Sequence, residues 1–550
     1  MGETNRMILT FYLLFATAMI DVVLARRRYY QLFVTNEDIQ PDCIKLNISR
    51  QSTVLINKQF PGPEIRATIG DILIVNVYNQ LINNEDLTIH FHGVLQKQTP
   101  QMDGVPYLTQ LPIKSGENCS YVFRVQRIGT FFYHSHIGLQ SMTAFGSLIF
   151  VDRSNDKIIR TRYNYTEERT LLLSDWWHND RLHLEQGLLA VPFQWLGEPS
   201  AIIINGKTMF NSSCETVNGA GYSVINVERG HRYRIRVIGA TTLSTLVFGI
   251  EKHKLLLIEV DGNYVEPLSV SYLEIASGQR YSFILDTTNQ PIKNYYIQAS
   301  IRWRLVKPNN GIAILRYKSA SLVNKIFIAN QTFSLPKETV EYLTNKLQPL
   351  TNFTNNYNGG KVPRKSNQEF VLAGGQAAFN GTGIQWVVNN NSLMLEKLSQ
   401  PKSALEDVYS NNQLSFKTYV IKKGQVIDII LQNLVGAGGV CESHPWHTHG
   451  HMFWEISYGD GVYREKDTHL FAHPFLRDTT MLYATSNAYF QYVNSTNHNK
   501  PCGWKKIRLI ADNPGLWFVH CHIVPHMLMG MSIVLEESKK DIKMVYIPKY

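Results

Sequence analysis

The sequence predicts an all-β protein built from three homologous domains. Three observations carry that expectation. The chain has 550 residues, 44% hydrophobic and 18% charged, with 28 Tyr and 25 Phe; such richness in strand formers, without long helical periodicity, favours sheets. A turn glycine followed by an apolar strand occurs three times: Gly70 to Asn79 (GDILIVNVYN), Gly230 to Gly239 (GHRYRIRVIG) and Gly424 to Asn433 (GQVIDIILQN). A later strand-rich element ending at a glycine also occurs three times, from Gly129 to Gly146, from Asn294 to Gly311 and from Gly515 to Gly530. A sandwich or barrel of short strands, repeated three times, accounts for all three observations.

Taken in order, the chain opens on Arg6, an apolar run from Met7 to Ile20, and Val22-Val23-Leu24-Ala25. This reads as a secretory signal peptide over 1–25, cut after Ala25. A signal anchor is the alternative, but Asp21 leaves the run short for a membrane span. No other stretch is long and apolar enough to span, and the C-terminus carries no anchor. The expected domains are 26–153, 154–320 and 365–550, with a connector over 321–364 and a helix over 336–346. The first two domains share a further turn, Ser115-Gly116 and Ser277-Gly278.

Asn47, Asn118, Asn164, Asn211, Asn330, Asn352, Asn380, Asn390 and Asn494 each begin an N-x-S/T triplet, which fits a secreted glycoprotein. The six cysteines are Cys43, Cys119, Cys214, Cys441, Cys502 and Cys521. If Cys521 is a metal thiolate, at most two disulfides and one odd thiol remain. The net charge is +10, yet basic residues cluster only at Arg26, Arg27 and Arg28, and no nucleic-acid motif is present. The charge reads as a solvated basic surface that attracts anionic molecules weakly.

The third repeated element separates the domains chemically. Domain one has Tyr133-His134-Ser135-His136 and domain three has Val519-His520-Cys521-His522, whereas domain two has Ile297-Gln298-Ala299-Ser300. The middle domain is therefore expected to be a spacer or to shape a substrate pocket. Eighteen histidines placed at random would give fewer than one His-x-His triplet. This chain has His90-Phe91-His92, His134-Ser135-His136, His447-Thr448-His449, His449-Gly450-His451 and His520-Cys521-His522. On a strand each such pair presents two imidazoles on one face. Zinc needs three or four ligands, while imidazoles with a thiolate and a thioether fit a multi-metal redox centre containing blue copper. Haem attachment and iron–sulfur binding find no cysteine motif here.

These motifs resemble those of the multicopper oxidases over nearly the whole mature chain: His90-Phe91-His92-Gly93, His134-Ser135-His136, His444-Pro445-Trp446-His447-Thr448-His449-Gly450-His451, and His520-Cys521-His522-Ile523-Val524-Pro525-His526 with Met531. The resemblance implies three cupredoxin-like Greek-key β-barrel domains and four coppers. His444, Cys521 and His526, with Met531 as weak axial ligand, would hold the type 1 ion. His90 and His447 would hold the type 2 ion. His92, His134, His136, His449, His520 and His522 would hold the type 3 pair, and His451 would be structural. Electrons would pass from a reductant through Cys521 to a cluster that reduces dioxygen to water. Asp103 matches an acid the family uses near the type 2 ion, whereas the acid common two residues after His522 is Val524 here.

Within the family, Ser174-Asp175-Trp176-Trp177-His178, Gly197-Glu198-Pro199 and Glu259-Val260-Asp261-Gly262-Asn263 are similar to L-ascorbate oxidases. That likeness implies a substrate pocket near His526 walled by Trp176 or Trp177 and by Trp386, although buried tryptophans are as often plain core. Glu198 sits where laccases and ferroxidases often carry a pocket acid. Ascorbate is thus the first expected reductant, a diphenol the second and Fe(II) the third. A copper-binding relative without turnover is the non-enzyme alternative, opposed by the full set of ten histidines. No nucleic-acid partner or stable membrane anchor is expected; monomer and homodimer both stay open.

Overall fold

The strands form because apolar residues alternate along them. In Ile72–Asn79, Leu73, Val75 and Val77 are buried while their neighbours are half-exposed, the pattern of a strand with one face on a core. The computed structural model describes residues 26–44, 53–209, 221–304, 310–320, 333–335, 345–350, 361–379, 383–398, 401–410, 412–484, 491–492 and 498–543. Six large sheets lie within them, two for each repeat.

The repeat is visible in the pairing. Ile72–Asn79 runs parallel to Arg27–Asn36 and antiparallel to Asn118–Arg124. Arg232–Gly239 stands likewise between Glu167–Trp176 and Arg280–Asp286, and Val426–Leu434 between Gln368–Phe379 and Pro501–Ile510. Each turn-glycine strand of the sequence thus holds one position in one topology. The second sheet of each unit contains the last repeated element. In the first unit Gly129–Ser135 lies between Phe145–Val151 and Ile89–His92. In the third, Gly515–Cys521 lies between Ser532–Glu537 and His444–Thr448. In the middle unit Asn294–Arg302 takes this place and brings Gln298 and Ser300 where the others bring histidines.

Buried charge joins the units. Glu259 accepts hydrogen bonds from the Thr130 amide (2.6 Å) and hydroxyl (2.9 Å) and from Arg234 (2.5 Å). Burial alone would raise its pKa, but Arg234 and Arg236 prevail and hold it at about 2. Arg280 makes a two-pronged pair with Asp478, 2.6 Å on each arm, and Arg477 reaches Asp261 at 2.7 Å. Arg127 donates to the carbonyls of Gly93 (2.9 Å) and Asp261 (3.2 Å). Such buried pairs add little net stability, but breaking one strands a charge, so they fix a register.

The 1–25 segment lies outside the described residues, as does most of the expected 336–346 helix. Of the sequons, Asn118, Asn164 and Asn390 are described and all three are exposed; the other six lie outside. Cys441 and Cys502 form a disulfide and Cys43 is also disulfide-bonded, while Cys119 and Cys521 are thiols outside any disulfide. Among the described residues no helix is long and apolar enough to cross a membrane.

Candidate metal centre

Strand register decides which side chains meet. Gly515–Cys521 pairs antiparallel with His444–Thr448 so that Trp446 faces Cys521 and His447 faces His520. Opposed residues share a face of the sheet and successive ones alternate. Cys521 therefore shares its face with Trp446 and, two residues earlier, His444. His520 shares the other face with His447. The short helix Val524–Leu528, with Pro525 in its first turn, then brings His526 back over Cys521. The Cys521 Sγ lies 3.6 Å from His444 Nδ1 and 3.8 Å from His526 Nδ1, and those two nitrogens are 3.2 Å apart. Ligands at the usual bond lengths of about 2.0–2.3 Å around one trigonal or tetrahedral ion lie roughly 3.3–3.8 Å apart, so this triad fits a bound copper closely. Met531 is fully buried in the same apolar cluster, its amide on the His526 carbonyl and its carbonyl on the Cys521 amide. Gly374 leaves it room: a Cβ there would lie 2.4 Å from Met531 Cε.

On the opposite face eight imidazoles converge from two units. Ile89–His92 and Gly129–Ser135 set His90 across from His134. Ligand atoms of His136, His449 and His520 lie within 4.8 Å of one another, as do those of His90, His92 and His134, and those of His90, His447 and His449. His449 Nε2 stands 3.2 Å from His520 Nε2, and His92 Nδ1 stands 3.2 Å from His522 Nε2. Four of the rings are oriented by backbone carbonyls at Nδ1: His90 by Asp103 (2.7 Å), His134 by Ser135 (2.9 Å), His447 by Asp478 (2.8 Å) and His520 by Cys521 (3.0 Å). A carbonyl can only accept, so the proton sits on Nδ1 and the Nε2 lone pair faces inward. Buried Nε2 atoms of His90, His134, His136 and His447 have no hydrogen-bond partner. A native interior rarely leaves such groups unmatched; a set of them converging on one space fits metal ions.

Electrostatics keep the donors ready. Burial first, then the neighbouring imidazoles, pushes His92, His134, His136, His447, His449 and His520 well below the ordinary histidine pKa, and His522 to about 3. Burial alone takes His444 to about 3. The rings are neutral and their lone pairs free. Burial also pushes the Cys521 thiol up; a coordinating cation reverses this by binding the thiolate.

Several residues that complete the site escaped the sequence reading. Asp478 is buried, paired with Arg280 and 3.4 Å from His92 Nε2. The Thr479 hydroxyl lies 3.0 Å from the same nitrogen, which turns the His92 Nδ1 toward His522. The middle unit contributes Ser277, whose hydroxyl meets His522 Nδ1 at 2.9 Å. The next residue, Gly278 (φ +85), matches Gly116 (φ +83) of the first unit, but here the turn touches the cluster: an added Cβ would sit 2.9 Å from His92 and 3.1 Å from His522, whereas at Gly116 it would meet nothing within 4 Å. The middle unit thus does more than space the other two; the Ser-Gly turn of the repeat buttresses two imidazoles. Asp103 is fully buried, with its Oδ2 on His449 Nδ1 at 2.8 Å and its Oδ1 3.4 Å from His90 Nδ1. His451 is turned away and bonds Glu537 at 2.7 Å. Val524 is buried in the apolar cluster that contains Trp177 and Trp386.

Around His526 the structure sorts the pocket candidates. Trp386 stacks on His526, centroids 3.9 Å apart at 26°, and meets His444 edge-on at 5.1 Å. Trp177 lies in the same apolar cluster and donates its indole N–H to Gly197 O (3.2 Å). Trp176 and Trp177 also line a cleft of about 360 Å³ with Asp175 and Arg181. Glu198 is held by Arg304 at 2.5 and 2.6 Å. Glu442, unnoticed in the sequence, places a carboxylate oxygen 3.9 Å from His526 Nε2.

Gly278→Ala is expected to strain the left-handed turn by about 1–2 kcal/mol and to push a methyl group onto His92 and His522; copper analysis should show loss from the eight-histidine cluster with the Cys521 site still loaded. The depressed histidine pKa values give a second expectation. Unfolded histidines protonate below about 6.5, whereas His444 and His522 do so only near 3. The unfolded chain therefore binds more protons across that window, and the metal-free protein loses stability as pH falls from 6.5 toward 3. Denaturant midpoints measured over that range test this, and bound copper should resist the loss until the ligands protonate.

Comparison with known proteins agrees with the geometry. Three multicopper oxidase family models match, at residues 34–155, 167–320 and 390–541. The L-ascorbate oxidase of Cucumis sativus is 34% identical over 96% of this chain and 92% of its own length. Laccase-like multicopper oxidase 1 of Thermothelomyces thermophilus is 30% identical over 88% and 83%. Among solved structures, Fet3p, a multicopper oxidase that functions in iron import, superposes with TM-score 0.72 at 25% identity over 94% of this chain and 92% of that one. The laccase of Botrytis aclada superposes with TM-score 0.73 at 25% identity over 94% and 89%. The chain belongs to the multicopper oxidase family, with its three cupredoxin-like domains, and is a copper oxidoreductase that uses oxygen.

Proposed function

We propose that this protein is a secreted oxidase that couples one-electron oxidation of L-ascorbate to the four-electron reduction of dioxygen to water. The observation that supports it best is His520-Cys521-His522, which belongs to both sites at once. Cys521 faces His444 and His526, while its two covalent neighbours face the eight-histidine cluster. In this reading His444, Cys521, His526 and Met531 hold a type 1 copper, His90 and His447 a type 2 copper, and His92, His134, His136, His449, His520 and His522 a type 3 pair. The 26–153 and 365–550 domains carry the ligands and the 154–320 domain walls the pocket. Bound copper supplies one-electron redox chemistry and the binding of oxygen.

The chain's own residues do the rest. Trp386, itself buried, stacks on His526 and walls the side from which the reductant's electron arrives. The Cys521 backbone joins the two sites through a few covalent bonds. Asp103 orients His449 and, with its second oxygen unmatched, can hold or pass a proton. Asp478, kept ionised by Arg280 against the cost of burial, fixes His447 and Thr479. The likeness to L-ascorbate oxidases at 34% identity supports ascorbate.

A laccase-type diphenol oxidase is the second reading, and Glu442 favours it. Its carboxylate near His526 can accept a phenolic proton as the electron leaves, whereas Glu198 is already engaged by Arg304.

Cys521→Ser is expected to abolish the blue absorption and substrate oxidation while the cluster still loads copper; a retained blue band sinks the type 1 assignment. Oxygen uptake by the copper-loaded protein, compared at matched concentrations of ascorbate, a diphenol and Fe(II), decides the reductant. Ascorbate is expected to be fastest, and fast diphenol beside slow ascorbate turnover selects the second reading.

A further inference from the structure

Oxygen reduction consumes four protons for each dioxygen, and the acid common two residues after His522 is replaced by the buried Val524. The structure shows where another acid stands. A partly open cleft of about 310 Å³ is lined by Pro106, Glu396, Phe518, Met527 and Leu528, and by His136. His136 is buried, and neither of its ring nitrogens has a hydrogen-bond partner. It is a member of the His136–His449–His520 group. The cleft therefore reaches the edge of the cluster, and Glu396 is the carboxylate in its wall.

Glu396 is placed by all three units. It sits on the short turn Leu395–Leu398 of the third. Its Oε1 accepts the Gly138 amide of the first unit at 2.9 Å, and the next amide, Leu139, donates to Glu185 of the middle unit at 2.9 Å. Two carboxylates thus share consecutive backbone N–H groups. Glu185 and the nearby acidic residues have partners of their own: Arg181 pairs with Glu185 and Glu85, Lys114 pairs with Asp86, and the Tyr107 hydroxyl donates to Asp86. Among the described residues Glu396 has no ion-pair partner within 4 Å. Burial first, then Glu185 and Asp86, raises its pKa to about 7. A group that is half protonated near neutrality both loads and releases protons readily.

We propose that Glu396 is the proton-transfer residue that delivers solvent protons through this cleft to the His136 side of the oxygen-reducing cluster. The inference rests on the proposed oxidase function. The balance is one dioxygen, four electrons from four one-electron oxidations of the reductant, and four protons from solvent, giving two waters. Glu396 takes a proton at the solvent side, gives it to water in the cleft, and is restored for the next. It binds the Gly138 amide and none of the histidine ligands, so its effect is on proton supply and not on copper binding.

The test uses copper-loaded Glu396→Gln. The amide oxygen still accepts from Gly138, so the turn is kept while titration is lost. Anaerobic bleaching of the blue absorption by reductant should match the unsubstituted protein. Return of that absorption on mixing the reduced protein with oxygen should slow by roughly tenfold or more below neutral pH. In the unsubstituted protein this rate should fall as pH rises through about 7, when Glu396 loses its proton, and the variant should lack that step. Infrared difference spectra of both proteins across the same pH range give a readout independent of turnover: a carboxyl band titrating near 7 that is absent from Glu396→Gln. Reoxidation at the original rate with the original pH profile, or no carboxyl titrating near 7 in the unsubstituted protein, overturns the proposal. The infrared experiment on the unsubstituted protein decides the matter even if the variant fails to fold. Absence of blue absorption in the unsubstituted protein refutes the oxidase reading instead, which keeps the two failures apart.

Discussion

The structure depends on keeping ten imidazoles and one thiol buried with their donor atoms facing one another. Burial makes protonation costly, and the crowd of imidazoles in the cluster adds to that cost. Backbone carbonyls fix the proton on one nitrogen of four rings and leave the other free. An interior that would otherwise be unfavourable, with unmatched nitrogen atoms facing one another, becomes favourable once cations fill it. The three units and the charged pairs between them exist in a geometry that serves this one requirement.

The two sites meet it differently. The Cys521 site is made within the third unit, from adjacent strands and the short helix that follows, so local register suffices to build it. The eight-histidine cluster is split between the first and third units, and each supplies four imidazoles. Neither half is a site alone. The middle unit, without ligands, enforces their approach: Ser277 orients His522, Gly278 leaves space against two rings, and Arg280 holds Asp478 beside His92. The middle repeat, which has Gln298 and Ser300 where the others have histidines, thus acts on those histidines through its turn and its charges.

The two sides of the junction differ. Trp386 and His526 stack on the Cys521 face of the third unit's sheet. His136 and Glu396 line a different cleft, beside the loop that leaves the first unit's histidine strand. In the functions proposed above, one side handles the reductant and the other handles protons, with the Cys521 backbone between them.

The sequence by itself determined the three repeats, the all-β class and the histidine and cysteine donors. These are legible because turn glycines, period-two apolar patterns and His-x-His spacing are local properties of a strand. It also told which repeat carries no ligands. Only the tertiary structure decided which donors face one another, that Asp478 and Thr479 support His92, that Ser277 and Gly278 serve the cluster, and that Glu442 and Arg304 stand near His526. Arg280 and Asp478 are 198 residues apart and His92 and His522 are 430 apart; no local pattern links such pairs. Their contacts arise from how packed sheets approach, and burial then sets the charge state of every group they bring together.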